Sequence, residues 1–231
     1  MTIIGRHYEN PTIEFRVGKP DPYFRWDIPS HRTDLFIGLE LDLEAVDVKT
    51  KYITKMNHAR KAMKDNSDLW VKDDASLFNG FEVCTFPANK DYWRWEHDWS
   101  WLKYFKSRGY EVPTTGDSGE GGAMHFHINR DAFIDLEHVS RFEDCVLGLD
   151  WLYDTGDLVD HSYCSREKNY YEYENKYRTY EKFCNNKYNA VRVKNNTVEV
   201  RCFKAKMDKF SILFAMEVIR ECFEQSKYIR K

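Results

Sequence analysis

Long apolar runs are missing from this 231-residue sequence. No stretch approaches the roughly 18 residues that a membrane-spanning helix needs. The first seven residues, Met-Thr-Ile-Ile-Gly-Arg-His, also lack the layout of a signal peptide. These absences exclude a helical membrane protein, and we expect a soluble, cytoplasmic protein without a membrane partner.

The sequence also lacks an excess of positive charge and any closely spaced cysteine pair. Lysine and arginine total 35 against 38 acidic residues, which gives a formal charge of −3. No global cationic field is therefore available to hold nucleic acid, and no nucleic-acid partner is expected. The six cysteines form no Cys-x-x-Cys pair, which argues against a structural zinc site and predicts reduced, mostly buried thiols.

What the chain has in quantity is apolar and aromatic side chains, at 42% and 16% of its residues. Such a composition can bury a core, and the length suits one large domain. Residues 1–34 are rich in the turn formers proline and glycine around one predicted strand, Thr12 to Val17, and we expect an N-terminal arm or extension there. Residues 35–231 are predicted to form a single catalytic domain.

Periodicity predicts an α+β fold with a mainly antiparallel sheet and helices packed on one face. Helical spacing recurs at 52–63, 92–105, 136–149 and 210–222. Hairpins are expected at 70–87 and 188–204, where turn-forming residues separate two strand-like runs. Residues 113–122 are too rich in glycine for a regular element and predict a mobile loop. The polar segment 161–186 is expected to be helix and loop.

Carboxylates and histidines alternate along several predicted strands. In a strand, residues two apart share a face, so each alternating pair directs two polar groups into one volume. The set comprises Glu40, Asp42, Glu82, His125, His127, Glu199 and Arg201. If the strands share a sheet, these acids would repel one another, and metal ions with a phosphate substrate would resolve the conflict.

Each pair taken alone also fits an ordinary protein. Glu40 and Asp42 suit the solvent face of an amphipathic strand, and a single histidine is usually hydrogen-bonded in a core. The segment Glu14-Phe15-Arg16 repeats the pattern of Glu199-Val200-Arg201. Only the combination of the strings and their order therefore discriminate between a site and chance.

Four strings occur in an informative order, and they resemble the amidoligase branch of the glutamine synthetase-like carboxylate-amine ligases. They are Ile37-Gly38-Leu39-Glu40-Leu41-Asp42, Lys72-Asp73-Asp74-Ala75-Ser76-Leu77 with Gly80-Phe81-Glu82-Val83 through Pro87, Gly121-Gly122-Ala123-Met124-His125-Phe126-His127, and Tyr188-Asn189-Ala190-Val191 with Thr197-Val198-Glu199-Val200-Arg201 and Phe203. The resemblance spans residues 35 to 225.

The resemblance implies a glutamine synthetase-like catalytic fold with a curved sheet. It also implies that the protein binds ATP and Mg²⁺ and joins small-molecule or peptide carboxylate and amine substrates. It implies metal ligation by Glu40, Asp42, Glu82, His125 and Glu199. Catalytic roles fall to Arg201, Arg166 and Glu82, where Arg201 contacts the transferred phosphate. Nucleotide or substrate contacts fall to His127, Gly121, Gly122 and Arg192.

Three positions depart from the family pattern. Asp42 stands where glutamate is usual, Ala75 replaces a turn glycine, and Arg192 stands where asparagine is usual. A protein that kept the fold for binding or assembly and lost turnover is therefore an alternative, as is a metal-dependent hydrolase using the same face.

Overall fold

A computed structural model describes most of the chain. The described residues are 2–4, 14–16, 35–47, 49–73, 77, 79–115, 120–158, 164, 166, 189–194 and 197–228. Most of the predicted segment 161–186 lies outside them, as do the hairpin turn at 195–196 and most of the N-terminal 34 residues. The boundary at residue 34 therefore stays a prediction.

Eleven strands form the described sheets, and every pairing among them is antiparallel. They are β1 Thr2–Ile4, β2 Glu14–Arg16, β3 Ile37–Ala45, β4 Leu69–Lys72, β5 Gly80–Thr85, β6 Tyr110–Glu111, β7 Thr114–Thr115, β8 Glu120–Gly121, β9 Ala123–Asn129, β10 Val191–Val193 and β11 Thr197–Lys204. The main sheet has the order β10-β11-β9-β3-β5-β4, and β6 also pairs with β3. Two small hairpins, β1-β2 and β7-β8, complete the set.

Strand β3 shows how the main sheet divides into two faces. Leu39, Leu41 and Leu43 are buried to 1% exposure or less, whereas the alternate residues Glu40 and Asp42 are half-buried. This alternation is what a strand with one apolar and one polar face produces. The apolar face forms the core, and the polar face carries the candidate site.

Among the described residues, five α-helices contribute to the core or lie beside it. They are α1 Tyr52–Asp65, α2 Ser100–Ser107, α3 Leu136–Leu147, α4 Asp150–Asp154 and α5 Lys209–Tyr228, with a π-helical turn at Tyr92–Glu96 and a 3₁₀ turn at Arg130–Ala132. Met63 of α1, Phe105 of α2, Phe142 of α3 and Phe223 of α5 share one apolar cluster with the β3 leucines. The predicted α+β class with a mainly antiparallel sheet is confirmed.

The aromatic segment predicted as one helix over 92–105 is two elements. A π-helical turn ends at Glu96, and α2 begins at Ser100. Trp93 ties the turn to the sheet, because its indole N–H donates to the carbonyl oxygens of Ile37 and Ala88 at 2.9 and 3.0 Å. Because these hydrogen bonds hold the Trp93 ring against the sheet, the segment does not form the single continuous helix that its spacing predicts.

Two further elements differ from the sequence prediction. The helix expected over 136–149 ends at Leu147, Gly148 caps it, and α4 follows as a separate short helix. The 113–122 loop is regular at both ends, since Thr114 and Thr115 of β7 pair with β8. Residues 116–119 lie outside the described part.

The other predicted elements agree with the structure. Helix α1, the β4-β5 and β10-β11 hairpins, and α5 occupy the expected segments. The five described cysteines are free, and all but Cys145 are buried. In the described part of the chain, no helix has both the length and the apolar character needed to cross a bilayer.

Gly80 lies at a close approach between β5 and β3. A Cβ atom added there would overlap the Leu43 carbonyl oxygen and would lie 2.9 Å from Cγ of Glu44. Glycine is required at this position because the neighbouring backbone leaves no room for a side chain.

His138 joins α3 to α5 inside the core. Its side chain is fully buried, Nδ1 lies 3.2 Å from the Ile134 amide nitrogen, and Nε2 lies 3.2 Å from the Phe223 carbonyl oxygen. The amide must donate to Nδ1, which assigns the proton to Nε2 for donation to Phe223. The neutral ring therefore satisfies two backbone groups, and burial lowers its pKa.

We expect His138→Leu to lower the free energy of unfolding by about 2 to 4 kcal/mol at pH 7.5, because two buried backbone groups lose their partner. The lowered pKa means that the unfolded chain binds this proton more readily. The contribution of His138 to the free energy of unfolding is therefore complete above about pH 6.5 and declines as the pH falls below that value. Urea denaturation at pH 7.5 and 5.5 tests this pH dependence. If the free energies of unfolding of parent and variant differ by the same amount at both pH values, the expectation is wrong.

Candidate metal centre

The polar face of the main sheet collects most of the sequence-predicted site residues. Glu40 and Asp42 come from β3, Glu82 from β5, His125 and His127 from β9, and Glu199 and Arg201 from β11. Arg192 of β10 lies opposite Glu199. Five adjacent strands therefore present an acidic and imidazole centre, with the two arginines on β11 and the edge strand β10.

Strand register decides which of these residues meet. Glu40 pairs with His125 on one side of β3 and with Cys84 on the other. Glu199 pairs with His127 across β9 and β11. Since paired residues share a face in an antiparallel sheet, these side chains meet at van der Waals or hydrogen-bonding range.

Two groups of three side chains have a geometry that could hold a metal ion. Glu40, His127 and Glu199 form one, and Glu40, Glu82 and His125 form the other; within each group, one ligand atom per residue lies within 4.8 Å of the others. His127 Nε2 lies 3.1 Å from Glu40 Oε2 and 3.8 Å from Glu199 Oε1. Glu40 is the one residue that the two groups share.

Asp42 lies beside the two groups without joining either. It pairs in register with Glu82 on the same face, but neither three-residue group includes it. His127, which the resemblance assigns to the nucleotide, instead lies inside a ligand group. The structure thus brings Glu40, Glu82, His125, His127 and Glu199 together as one constellation.

The pKa values of Glu40 and Glu82 are shifted in opposite directions. Burial raises the pKa of Glu82 to about 9, together with repulsion from Glu40 and a hydrogen bond to it, although Lys72 acts in the other direction. Burial also acts to raise the pKa of Glu40, but the close imidazoles of His125 and His127 outweigh it and hold that pKa well below its usual range. Glu82 is therefore the carboxyl of this pair that binds a proton more readily, and a bound cation would compete with that proton.

Glu199 is the most enclosed acid of the constellation, with 1% of its side chain exposed. Lys194 Nζ lies 2.8 Å from its Oε2, Arg201 Nη1 lies 3.4 Å from its Oε1, and Arg192 Nη1 lies 3.9 Å from its Oε2. Burial favours the neutral acid, but Lys194 and His127 lower the pKa overall. A buried carboxylate can remain ionised in such a setting because cations surround it.

The donor set fits a divalent cation. His127 Nε2 and Glu199 Oε2 are buried and make no hydrogen bond of acceptable geometry within the described residues, despite their close charged neighbours. Unsatisfied buried donors and acceptors are uncommon and call for a partner. Carboxylate oxygens suit Mg²⁺, and the imidazole nitrogens also suit Mn²⁺ or Zn²⁺.

Sequence reasoning missed three members of this face. Lys72 of β4 lies 3.2 Å from Glu40 Oε1 and 2.9 Å from Glu82 Oε2, and Lys194 contacts Glu199. Cys84 lies between Trp70 and Glu40 in register, and burial raises the pKa of its thiol. Alternation within the β4-β5 hairpin indicates that Lys72 and Glu82 can lie on one face. Only the pairing register shows that the two residues lie opposite each other.

Arg166 and the two glycines lie at other positions. Arg166 donates to the Leu147 carbonyl oxygen at 2.8 Å, pairs with Asp150, and stacks 4.0 Å over the Tyr153 ring, which places its guanidinium at the junction of α3 and α4. The structure does not group it with the constellation. Its catalytic role stays a prediction from the resemblance alone.

Gly121 and Gly122 precede β9 and are held by backbone contacts. Gly121 pairs with Thr114, and the amide of Gly122 donates to the Pro113 carbonyl oxygen at 2.8 Å. The Gly122 carbonyl oxygen accepts from the Ala205 amide at 2.6 Å. Both glycines are therefore hydrogen-bonded where the chain enters β9, and the mobility predicted for 113–122 stays a prediction.

No protein-family model matches the sequence, and no curated protein shows significant similarity to it.

We expect Lys72→Met to tighten divalent metal binding about three- to tenfold, because the ammonium group competes with a metal ion for Glu40 and Glu82. Calorimetric titration with Mn²⁺ measures the affinity. Lys61→Met removes an exposed lysine paired with Asp65 on α1 at 2.7 Å and serves as the matched control. Weaker metal binding in Lys72→Met than in this control would contradict the expectation.

Proposed function

We propose that this protein is an ATP- and Mg²⁺-dependent carboxylate-amine ligase of the amidoligase type. The observation that carries the proposal is the central position of Glu40, which belongs to both ligand groups on a sheet face bordered by cations. Two adjacent cation positions that share a carboxylate suit the transfer of a phosphoryl group, whose charge must be neutralised on several oxygens at once.

The fold supports the proposal at a coarse level. An open, mainly antiparallel sheet presents ligands from β3, β5, β9 and β11 on one face, as the resemblance implies. The finer expectation is a glutamine synthetase-like catalytic domain over 35–231 with a curved, concave sheet. In that arrangement ATP binds at one end of the face and the carboxylate substrate at the other.

The proposed reaction has two steps. An oxygen of the substrate carboxylate attacks the γ-phosphorus of ATP, which forms an acyl phosphate and releases ADP. The nitrogen of an amine then attacks the acyl carbon, the phosphate leaves with the C–O bonding pair, and the amine loses a proton to give an amide or isopeptide. Bound Mg²⁺ supplies charge neutralisation on the phosphate oxygens.

The chain's own side chains have distinct parts in this scheme. Glu40, Glu82, His125, His127 and Glu199 hold the cations. Arg201 and Arg192 offer planar donor pairs for phosphate or carboxylate oxygens, and each has a buried Nε without a hydrogen bond in the described part of the chain. Lys194 keeps Glu199 ionised and adds positive charge to the same end of the face.

The mixed donor set favours one second candidate, a metal-dependent hydrolase. Both ligand groups contain an imidazole as well as carboxylates, and such a set suits Zn²⁺ or Mn²⁺ with an activated water. In a hydrolase the cationic end of the face would bind the substrate anion. A binding protein that kept the fold without turnover would show ligand binding and neither reaction.

Thermal unfolding with ATP and Mg²⁺ tests the ligase proposal. We expect an upward shift in Tm that requires both additions, because a ligand that binds only the folded state stabilises it. Glu199→Ala serves as the control and should lose the shift. An unchanged Tm in the parent protein with ATP and Mg²⁺ would sink the ligase proposal.

Product analysis separates the two catalytic candidates. A ligase releases ADP from ATP only when a carboxylate and an amine are both supplied, so a screen of amino acids, polyamines and peptides should reveal a pair that gives turnover. ADP release that does not respond to any amine would favour the hydrolase.

A further inference from the structure

A cavity of about 360 Å³ lies at the end of the sheet where β3 begins. Its walls come from Phe36, the C-terminal end of α1 and the π-helical turn. The volume falls in the range of small-molecule binding sites. This cavity shares no lining residue with the two ligand groups.

The lining of the cavity is strongly acidic. Asp65, Asp68, Glu96 and Asp98 are among its residues, and the described lining residues include no lysine or arginine. Asp65 and Asp68 have cationic or imidazole neighbours, at 2.7 Å to Lys61 and 3.3 Å to His97. Glu96 is exposed and makes no ion pair in the described part of the chain. The electrostatic potential in the cavity therefore favours a cation.

Asn66 gives an independent indication that the cavity is a binding site. Only 5% of this residue is exposed, and it lines the cavity, yet its side-chain amide makes no hydrogen bond within the described residues. Because Asn66 borders the cavity, its side-chain carbonyl oxygen can accept from an N–H donor of a bound ligand. The site therefore offers a neutral acceptor next to its carboxylates.

The cavity suits an organic cation better than a bare metal ion. Among the described residues, the groups of three ligand atoms close enough for a metal lie on the sheet face and not here. Phe36, Tyr92 and Ala88 supply apolar wall, which a hydrated metal ion does not use. An alkyl chain can pack on that wall while an ammonium group reaches the acids.

We propose that this cavity binds a primary ammonium group carried on a small apolar body. The Asn66 carbonyl oxygen and the surrounding carboxylates accept its N–H donors, with Glu96 as the acid that has no ion-pair partner of its own. This proposal does not depend on the ligase function, because the cavity and the metal centre are built from different residues.

Titration of the full-length protein with pentylamine, followed by NMR or calorimetry in low salt, tests the proposal. We expect saturable binding in the parent protein and a loss of about tenfold in affinity in Glu96→Lys, because the new charge repels the ligand. Glu111→Lys makes the same charge change on β6, which pairs with the opposite end of β3, and should stay within about twofold of the parent.

Two further measurements make the test specific. Asn66→Leu should weaken pentylamine binding about fivefold, provided that circular dichroism shows an intact fold. Pentan-1-ol has the same chain without the charge and should not bind saturably. The proposal would be overturned by absent pentylamine binding, by equal losses in Glu96→Lys and Glu111→Lys, or by equal binding of the alcohol. If Asn66→Leu does not fold, the Glu96 comparison decides alone.

Discussion

Glu40→Gln is expected to remove metal-dependent nucleotide binding and to reduce any ligase turnover by a factor on the order of 10³. Glutamine keeps the size of the side chain but cannot give both ligand groups a charged oxygen. Because Glu40 belongs to both groups, one substitution affects two cation positions. The variant should still fold, since replacing this acid also removes its repulsion with Glu82.

The measurement compares Tm with and without ATP plus Mg²⁺ in the parent and in Glu40→Gln. Glu44→Gln provides a matched control, because Glu44 lies on β3 an even number of residues from Glu40, and so on the same face, and belongs to neither ligand group. The ligand-induced shift should persist in Glu44→Gln and disappear in Glu40→Gln. If ATP plus Mg²⁺ raises the Tm of Glu40→Gln as much as that of the parent, the inference that Glu40 serves both ligand groups is wrong.

Gly80→Ala is expected to lower the free energy of unfolding by about 3 kcal/mol or more, because backbone atoms must move to admit one methyl group. The added Cβ would overlap the Leu43 carbonyl oxygen, which is part of the pairing between β3 and β5. Displacement of this segment would also shift Glu82, two residues along β5. Chemical denaturation measures the loss.

Gly109→Ala is the matched control for Gly80→Ala. Gly109 has a φ of 74°, and a Cβ there would meet open space. Gly109→Ala should lower the free energy of unfolding by about 1 kcal/mol, because alanine disfavours this backbone conformation. If Gly80→Ala costs no more than Gly109→Ala, steric overlap at β5 is not the reason for glycine.

Alternation along a strand made much of the site predictable. Because side chains two apart share a face, the sequence around Glu40 or His125 already shows which residues project together. The hairpin turns likewise place β4 beside β5 and β10 beside β11. These are local properties, so they can be inferred without knowing the rest of the fold.

Strand order and register could not be obtained in the same way. That Glu40 lies between Cys84 and His125 depends on β3 pairing with both β5 and β9, which are distant in sequence. For this reason Lys72 was not predicted to be a site residue, although its strand was predicted. Arg166 shows the converse, since its contacts at the junction of α3 and α4 follow from tertiary packing that no local pattern records.

The aromatic segment shows why helix boundaries were harder to predict. Tyr92, Trp95, Trp99 and Leu102 continue a helical spacing across the break. The break follows from the docking of Trp93 on the sheet and from His97, whose ring accepts from the Trp101 indole N–H at 3.1 Å. Periodicity cannot distinguish one helix from two segments that keep the same phase.

The spacing of the metal-site residues along the chain has a consequence for folding kinetics. Glu40, Glu82, His125 and Glu199 lie far apart in sequence and meet only when β3, β5, β9 and β11 have paired. Each approach closes a long loop, so these contacts form late and slowly. A divalent ion present in both directions should therefore slow unfolding and leave the folding rate unchanged, since each ligand group is complete only after three strands that are distant in sequence have paired.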